Sequence, residues 1–194
     1  MLQLVILVGA FLFGEYMNNA FDIAFENVLQ YEGGFTNDPK DRGNWTTGVI
    51  GKGLCKGTKY GISAMAYPNL IIRSLTVNQA KDIYYKDYWL KNKLDKLEPA
   101  LAFQLFDACI QHGSGIAIKL LQKLLGITAS GSLDEVTLST LKYESQKILA
   151  YRYIAKRLEY YTSIKTFSTY GKGWVNRMAS NLNITATNFE STSL

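Results

Sequence analysis

The segment from Pro99 to His112 constrains this chain more than any other. Pro99 suits the first position of a helix, and from Ala100 to Ile110 the residues are apolar almost all the way round. A helix without a polar face must be buried, so the rest of the chain has to wrap it. The few polar residues in the run, Gln104, Asp107 and Gln111, fall at i, i+3 and i+7 and share one stripe. That stripe serves either core hydrogen bonding or a strip facing a substrate groove; Gln104 and Asp107 are carried forward as substrate-binding candidates. Gly113-Ser114-Gly115 ends the run.

Periodicity elsewhere is also helical. Residues 18–32 read as a first helix. Thr76 caps a helix through Leu90, residues 116–126 form an amphipathic helix, and Ser132-Leu133-Asp134-Glu135 is a capping-box start for a short one. Two longer helices follow at about 144–165 and 173–188. Between the first two helices, residues 33–59 are rich in Gly, Asn, Asp, Thr and Lys, and an irregular stretch of that length is usually functional. Within it, Trp45–Gly51 and Gly53–Tyr60 are expected to pair as a small β-hairpin turning at Gly51–Gly53. The expected fold is mainly α: eight or so helices with one small β element.

The 194 residues carry 47% hydrophobic residues, enough for a real core and against wholesale disorder. Net charge is +5 but uneven: residues 1–45 hold a net of −4 and the remainder +9. A basic body with an acidic corner suits a polyanionic substrate worked on by carboxylates, whether nucleic acid or bacterial cell wall. The basic residues are scattered and no nucleic-acid-binding motif is visible, so a nucleic-acid partner is not expected. Cys109 is expected to be a buried thiol and Cys55 an exposed one. The cysteines make no disulfide framework, and with His112 the sole histidine neither a metal nor a cofactor is called for.

Residues 1–16 are nearly all apolar from Leu2 to Phe13. Three readings stand: an export or anchor segment able to associate transiently with a membrane, an extra element packed on the domain, or an upstream extension of a chain whose natural start is Met17.

Chemistry points to Glu32. It lies seven residues after Phe25 and four after Val28, on the apolar face of the first helix, and Gly33-Gly34 follows. A carboxyl group in such a place is expected to have a raised pKa and to serve as a general acid. Asp41 follows nine residues later, across the turn formers Gly33, Gly34 and Asn37-Asp38-Pro39, which let the chain fold back on itself. An acid and a second carboxylate on either side of a groove are the equipment of glycoside hydrolysis. Asp41, in a polar loop, takes the role of the anionic partner. The polar excursion between the two favours a water-filled gap and an inverting outcome.

The ordered motifs Glu32-Gly33-Gly34-Phe35, Asn37-Asp38-Pro39-x-Asp41-x-Gly43 and Thr58-Lys59-Tyr60-Gly61-Ile62-Ser63 resemble glycoside hydrolase family 108. So do Asp87-Tyr88-Trp89, Phe106-Asp107-Ala108 with His112-Gly113, and Gly173-Trp174-x-x-Arg177. These are cell-wall muramidases, often phage endolysins, of lysozyme-like, two-lobed helical fold with a β-hairpin beside the active site. The resemblance implies a catalytic region over 17–113 and a C-terminal helical lobe over 114–190 that includes a peptidoglycan-binding portion. It implies Glu32 as catalytic acid. By analogy with phage-type lysozymes it offers Asp41 as second carboxylate and Thr58 as the residue that orients a water. Trp45, Tyr60, Phe35 and Trp174 are aromatics fit to stack on pyranose rings, Trp45 and Tyr60 foremost.

The implied reaction is hydrolysis of the β-1,4 bond between N-acetylmuramic acid and N-acetylglucosamine in peptidoglycan glycan strands, by a monomer. The protein would be made in the cytoplasm of a bacterial or phage-infected host and act in the periplasm or wall, reached through the N-terminal segment or a holin-like route. Two alternatives stay open: a lytic transglycosylase on the same bond, and a non-catalytic wall-binding or phage structural protein.

Overall fold

The computed structural model describes residues 20–31 and 34–189. Glu32 and the apolar segment 1–16 lie outside the described residues. The fold is mainly α with a small two-stranded antiparallel sheet, and it is lysozyme-like. Helix α1 covers residues 20–31. The strands are β1 (Thr58–Lys59) and β2 (Ile62–Ser63), followed by α2 (Val77–Tyr84), which runs on as a π-helical turn over Tyr85–Leu90. Then come α3 (Pro99–His112), α4 (Ser114–Leu124), α5 (Glu135–Leu141), α6 (Gln146–Thr162) and α7 (Phe167–Phe189). The chain divides into two units: Ile23–Asp87, and a second whose described part is 20–22 with 88–189.

In the second unit α3 is the core, with Pro99 at its N-terminus. Leu101, Ala102, Phe103, Leu105, Phe106 and Ala108 are all fully buried. Helices α4, α6 and α7 pack on it. Phe106, Phe21 and Trp89 meet edge to face with centroids 5.4–5.7 Å apart. Burying each such side chain stabilises the fold by about 1.5–3 kcal/mol.

Two residues of the polar stripe turn inward rather than to a groove, which corrects the assignment of Gln104 and Asp107 to substrate binding. Gln104 is 0% exposed and donates to Asn181 O (3.2 Å) and Thr185 Oγ1 (2.8 Å) on α7. Asp107 is 1% exposed and receives Arg157 Nη2 from α6 (2.7 Å) and Arg177 Nε from α7 (2.8 Å). Burial alone would raise the Asp107 carboxyl, but the charges of Arg157 and then Arg177 outweigh it and hold it below its ordinary value. The stripe therefore fixes which faces of α6 and α7 meet α3. Cys109, on the same helix, is a buried thiol pushed up to about 12 by desolvation.

Short-range signals set the other helix ends. Thr76 and Gln79 form a reciprocal capping box at α2. At α5 the cap is Asp134 rather than Ser132: its carboxylate accepts from Thr137 N at 2.9 Å. The Ser130 hydroxyl, and then Thr137, lower its pKa to about 2. Helix α7 begins at Phe167, earlier than periodicity suggests. Among the described residues no helix is long and apolar enough to cross a membrane.

Candidate active site

The unit Ile23–Asp87 contains the turn that follows Glu32. After Gly34 the chain runs through Thr36, which bridges Thr58 with both backbone hydrogen bonds at 2.9 Å. Asn37 and Asp38 then open a tight turn. The Asp38 carboxylate accepts from Lys40 N at 2.9 Å, and Asp41 N donates to Asp38 O at 3.1 Å. Asp41 caps a single 3₁₀ turn, Arg42–Asn44, its Oδ1 accepting from Gly43 N at 2.8 Å. The carboxylate of Asp41 is thus held by its own backbone at an exposed position.

Asn44 holds this turn to the sheet. It is 0% exposed although it lies in a Gly-Asn-Trp-Thr stretch that reads as surface loop. Its Nδ2 donates to Asp38 O (3.0 Å), and its Oδ1 accepts the Thr58 hydroxyl (2.7 Å). Its carbonyl accepts from Lys56 N and Gly57 N at 2.9 and 3.1 Å. One residue therefore ties the Asp38–Asp41 turn to β1 through its side chain and to Lys56-Gly57 through its backbone. Trp45 adds a second clamp, its indole N–H donating to Pro39 O at 2.9 Å. Asn44 is the site residue that sequence reasoning missed: a lone Asn among turn formers gives no sign of burial.

The hairpin differs from the expected one. Trp45 and Cys55 make only an isolated bridge, with Thr46 N donating to Leu54 O at 3.0 Å. The regular pairing is one step later, Thr58 with Ser63 and Lys59 with Ile62, around the two-residue turn Tyr60-Gly61. Both turn residues have positive φ (52° and 74°), as the twist of a two-residue hairpin demands. Gly61 satisfies this freely; Tyr60 is held there, and its carbonyl accepts the Tyr84 hydroxyl at 3.0 Å.

Asp41, Trp45 and Thr58 are thus gathered around Asn44, and Tyr60 stands two residues beyond Thr58 at the hairpin tip. Thr58 has spent its proton on Asn44, so toward a water its hydroxyl can only accept. Phe35 and Cys55 line a cavity of about 320 Å³ with Asn37, Lys56, Ile71 and Arg73. The Arg73 guanidinium lies 4.5 Å from the Phe35 ring centre. A side chain at Gly57 would come within 2.6 Å of that ring, so only glycine lets the chain pass. Cys55 is half-buried rather than exposed, its thiol donating to Asn37 Oδ1 at 2.9 Å.

A lysozyme-like helical fold thus carries a clamped aspartate turn beside a two-residue hairpin. The model of the family described as Glycosyl hydrolase 108 matches residues 25–113 of this chain. The solved "Structure of Brucella abortus SagA" is similar at TM-score 0.73 and 27% identity, over 91% of this chain and 99% of that one. No curated protein matches the chain.

Proposed function

We propose that the protein is an N-acetylmuramidase, hydrolysing the β-1,4 bond from N-acetylmuramic acid to N-acetylglucosamine in peptidoglycan. Glu32 donates a proton to the leaving glycosidic oxygen. Asp41 supplies the second carboxylate, opposing the charge that develops on the sugar or drawing a proton from the attacking water. Thr58 accepts a hydrogen bond from that water and helps to orient it. The observation that carries the reading is the Asn44 clamp. The fold commits a fully buried amide and a tryptophan N–H to holding the exposed turn that ends in Asp41. Pre-set geometry of this kind is what a positioned carboxylate needs, since misplacement by about 1 Å costs on the order of a hundredfold in rate.

Trp45, Tyr60 and Phe35 are assigned to the glycan-binding surface of the same unit, and the site of action is the cell wall. The test is turbidity loss and release of reducing ends from purified peptidoglycan by wild type and Glu32→Gln. Loss of both activities in the variant, with its fold intact, is expected. Equal lysis by the two proteins would overturn the assignment of Glu32.

A further inference from the structure

Where α3 ends, the second unit opens a cavity of about 270 Å³ walled by Gln111, His112, Tyr160, Tyr161, Thr166 and Trp174. Its walls are aromatic: Tyr161 stacks on Trp174 at 5.0 Å and 24°, and the His112 ring stands edge-on to Tyr160 and Tyr161 at 5.2 Å each. Its polar groups are few and oriented. Gln111 Oε1 accepts from Arg157 Nη2 (2.8 Å) and from the Tyr161 hydroxyl (2.5 Å). That pins the oxygen end of the amide and turns its NH₂ the other way, where it meets no acceptor among the described residues. His112 Nε2 is buried and has no hydrogen-bond partner. That atom is closed off from the cavity, so His112 contributes the face and edge of its ring to the wall rather than a polar contact.

The chemistry of the cavity narrows the occupant. Burial, followed by the charge of Arg157, lowers the His112 pKa from 6.5 to about 4, so at neutral pH the ring is uncharged and acts as an aromatic surface. A cation would meet the field of Arg157 and Arg177. An anion would find both guanidiniums directed at Asp107. A purely apolar ligand would leave the Gln111 NH₂ unpaired. The volume lies just below the range of about 300–1,000 Å³ that suits drug-sized ligands, so it suits a single ring. A pyranose presents C–H groups to aromatic faces and hydroxyl or acetamido groups at its edge, which matches both kinds of wall.

We propose that this cavity is a subsite for one N-acetylhexosamine ring of a glycan strand, with Gln111 as its polar contact and Tyr160, Trp174 and the His112 ring as its aromatic wall. The proposal rests on the glycan-cleaving reading above and deepens it.

His112 is the sole histidine, so its imidazole signals report the cavity without ambiguity. Full-length protein labelled at histidine is titrated with N,N′-diacetylchitobiose, with cellobiose as the sugar lacking acetamido groups. A saturable shift of the His112 resonances by diacetylchitobiose, weaker with cellobiose, is expected. Tyr160→Ala should weaken binding by about tenfold, or 1.4 kcal/mol, and Tyr160→Phe should leave it close to wild type. No saturable His112 shift up to tens of millimolar sugar, or Tyr160→Ala binding like wild type, overturns the subsite. Sugar binding at His112 by a protein that releases nothing from peptidoglycan supports the subsite and refutes the hydrolase. Lysis with KM unchanged in a folded Tyr160→Ala refutes the subsite and leaves the hydrolase standing.

Discussion

Replacing Asn44 by alanine separates the scaffold of the turn from its chemistry. The variant loses the bonds to Asp38 O (3.0 Å) and from Thr58 Oγ1 (2.7 Å), while the backbone contacts of residue 44 survive. Each net hydrogen bond contributes about 0.5–1.5 kcal/mol, and stranding the part-buried Thr58 hydroxyl adds to the loss. The expected destabilisation is therefore about 2–3 kcal/mol. For a chain of this size that lowers Tm by roughly 5–10 °C. Asp41 keeps its 3₁₀ cap but loses the buried one of the two clamps on the turn it ends, the Trp45 bond to Pro39 O remaining. A displacement of about 1 Å would reduce lysis on the order of a hundredfold at a temperature where the variant is still folded. The assay pairs thermal melts with initial rates of turbidity loss at 25 °C. A variant with the full drop in Tm but lysis within about twofold of wild type would refute the claim that the clamp positions a reacting group. An unchanged Tm would refute the energetic account of the network.

Four further outcomes are expected. Asp107→Ala leaves two guanidiniums buried without their carboxylate and should cost about 3–5 kcal/mol in denaturant unfolding; a loss below about 1 kcal/mol would contradict the reading of the stripe as core. His112 has a depressed pKa in the folded state, so its contribution is present above 6.5 and is lost as pH falls toward about 4; Tm should decline across that window, and His112→Gln should flatten the decline. Tyr60→Gly relieves a left-handed residue at the hairpin tip, so Tm should hold or rise while KM for peptidoglycan increases; a lower KM would remove Tyr60 from the binding surface. Asp41→Asn should nearly abolish formation of reducing ends; near-full activity with 1,6-anhydro products by mass spectrometry would replace the two-carboxylate hydrolase with a transglycosylase.

What the sequence revealed and what it hid follow from how far apart the interacting residues lie. The Thr76–Gln79 box, Pro99 at a helix start and the all-round apolarity of α3 act within a turn or two of helix, so local pattern is sufficient to find them. The polar stripe on α3 was visible, but not what it faces: Arg157 and Arg177 lie 50 and 70 residues beyond Asp107. Only packing decides that Gln104 and Asp107 turn inward. The hairpin was misplaced because Tyr60-Gly61 carries only one residue that favours positive φ, whereas Gly51 and Gly53 offer two. Asn44 was hidden because a buried loop amide is chosen by its partners at Asp38 and Thr58, which come together only when the sheet and turn form.

The central claim is that Glu32 and Asp41 act on opposite faces of one glycosidic bond. The most direct measurement is a crystal structure of Glu32→Gln with a peptidoglycan tetrasaccharide spanning the scissile linkage. The account predicts the residue 32 amide within about 2.6–3.2 Å of the glycosidic oxygen. It predicts the Asp41 carboxylate across the ring, separated from that amide by about 6.5–9.5 Å with a water between. A bound strand whose glycosidic oxygen lies out of reach of residue 32, or an Asp41 carboxylate on the same face as that residue, would contradict it.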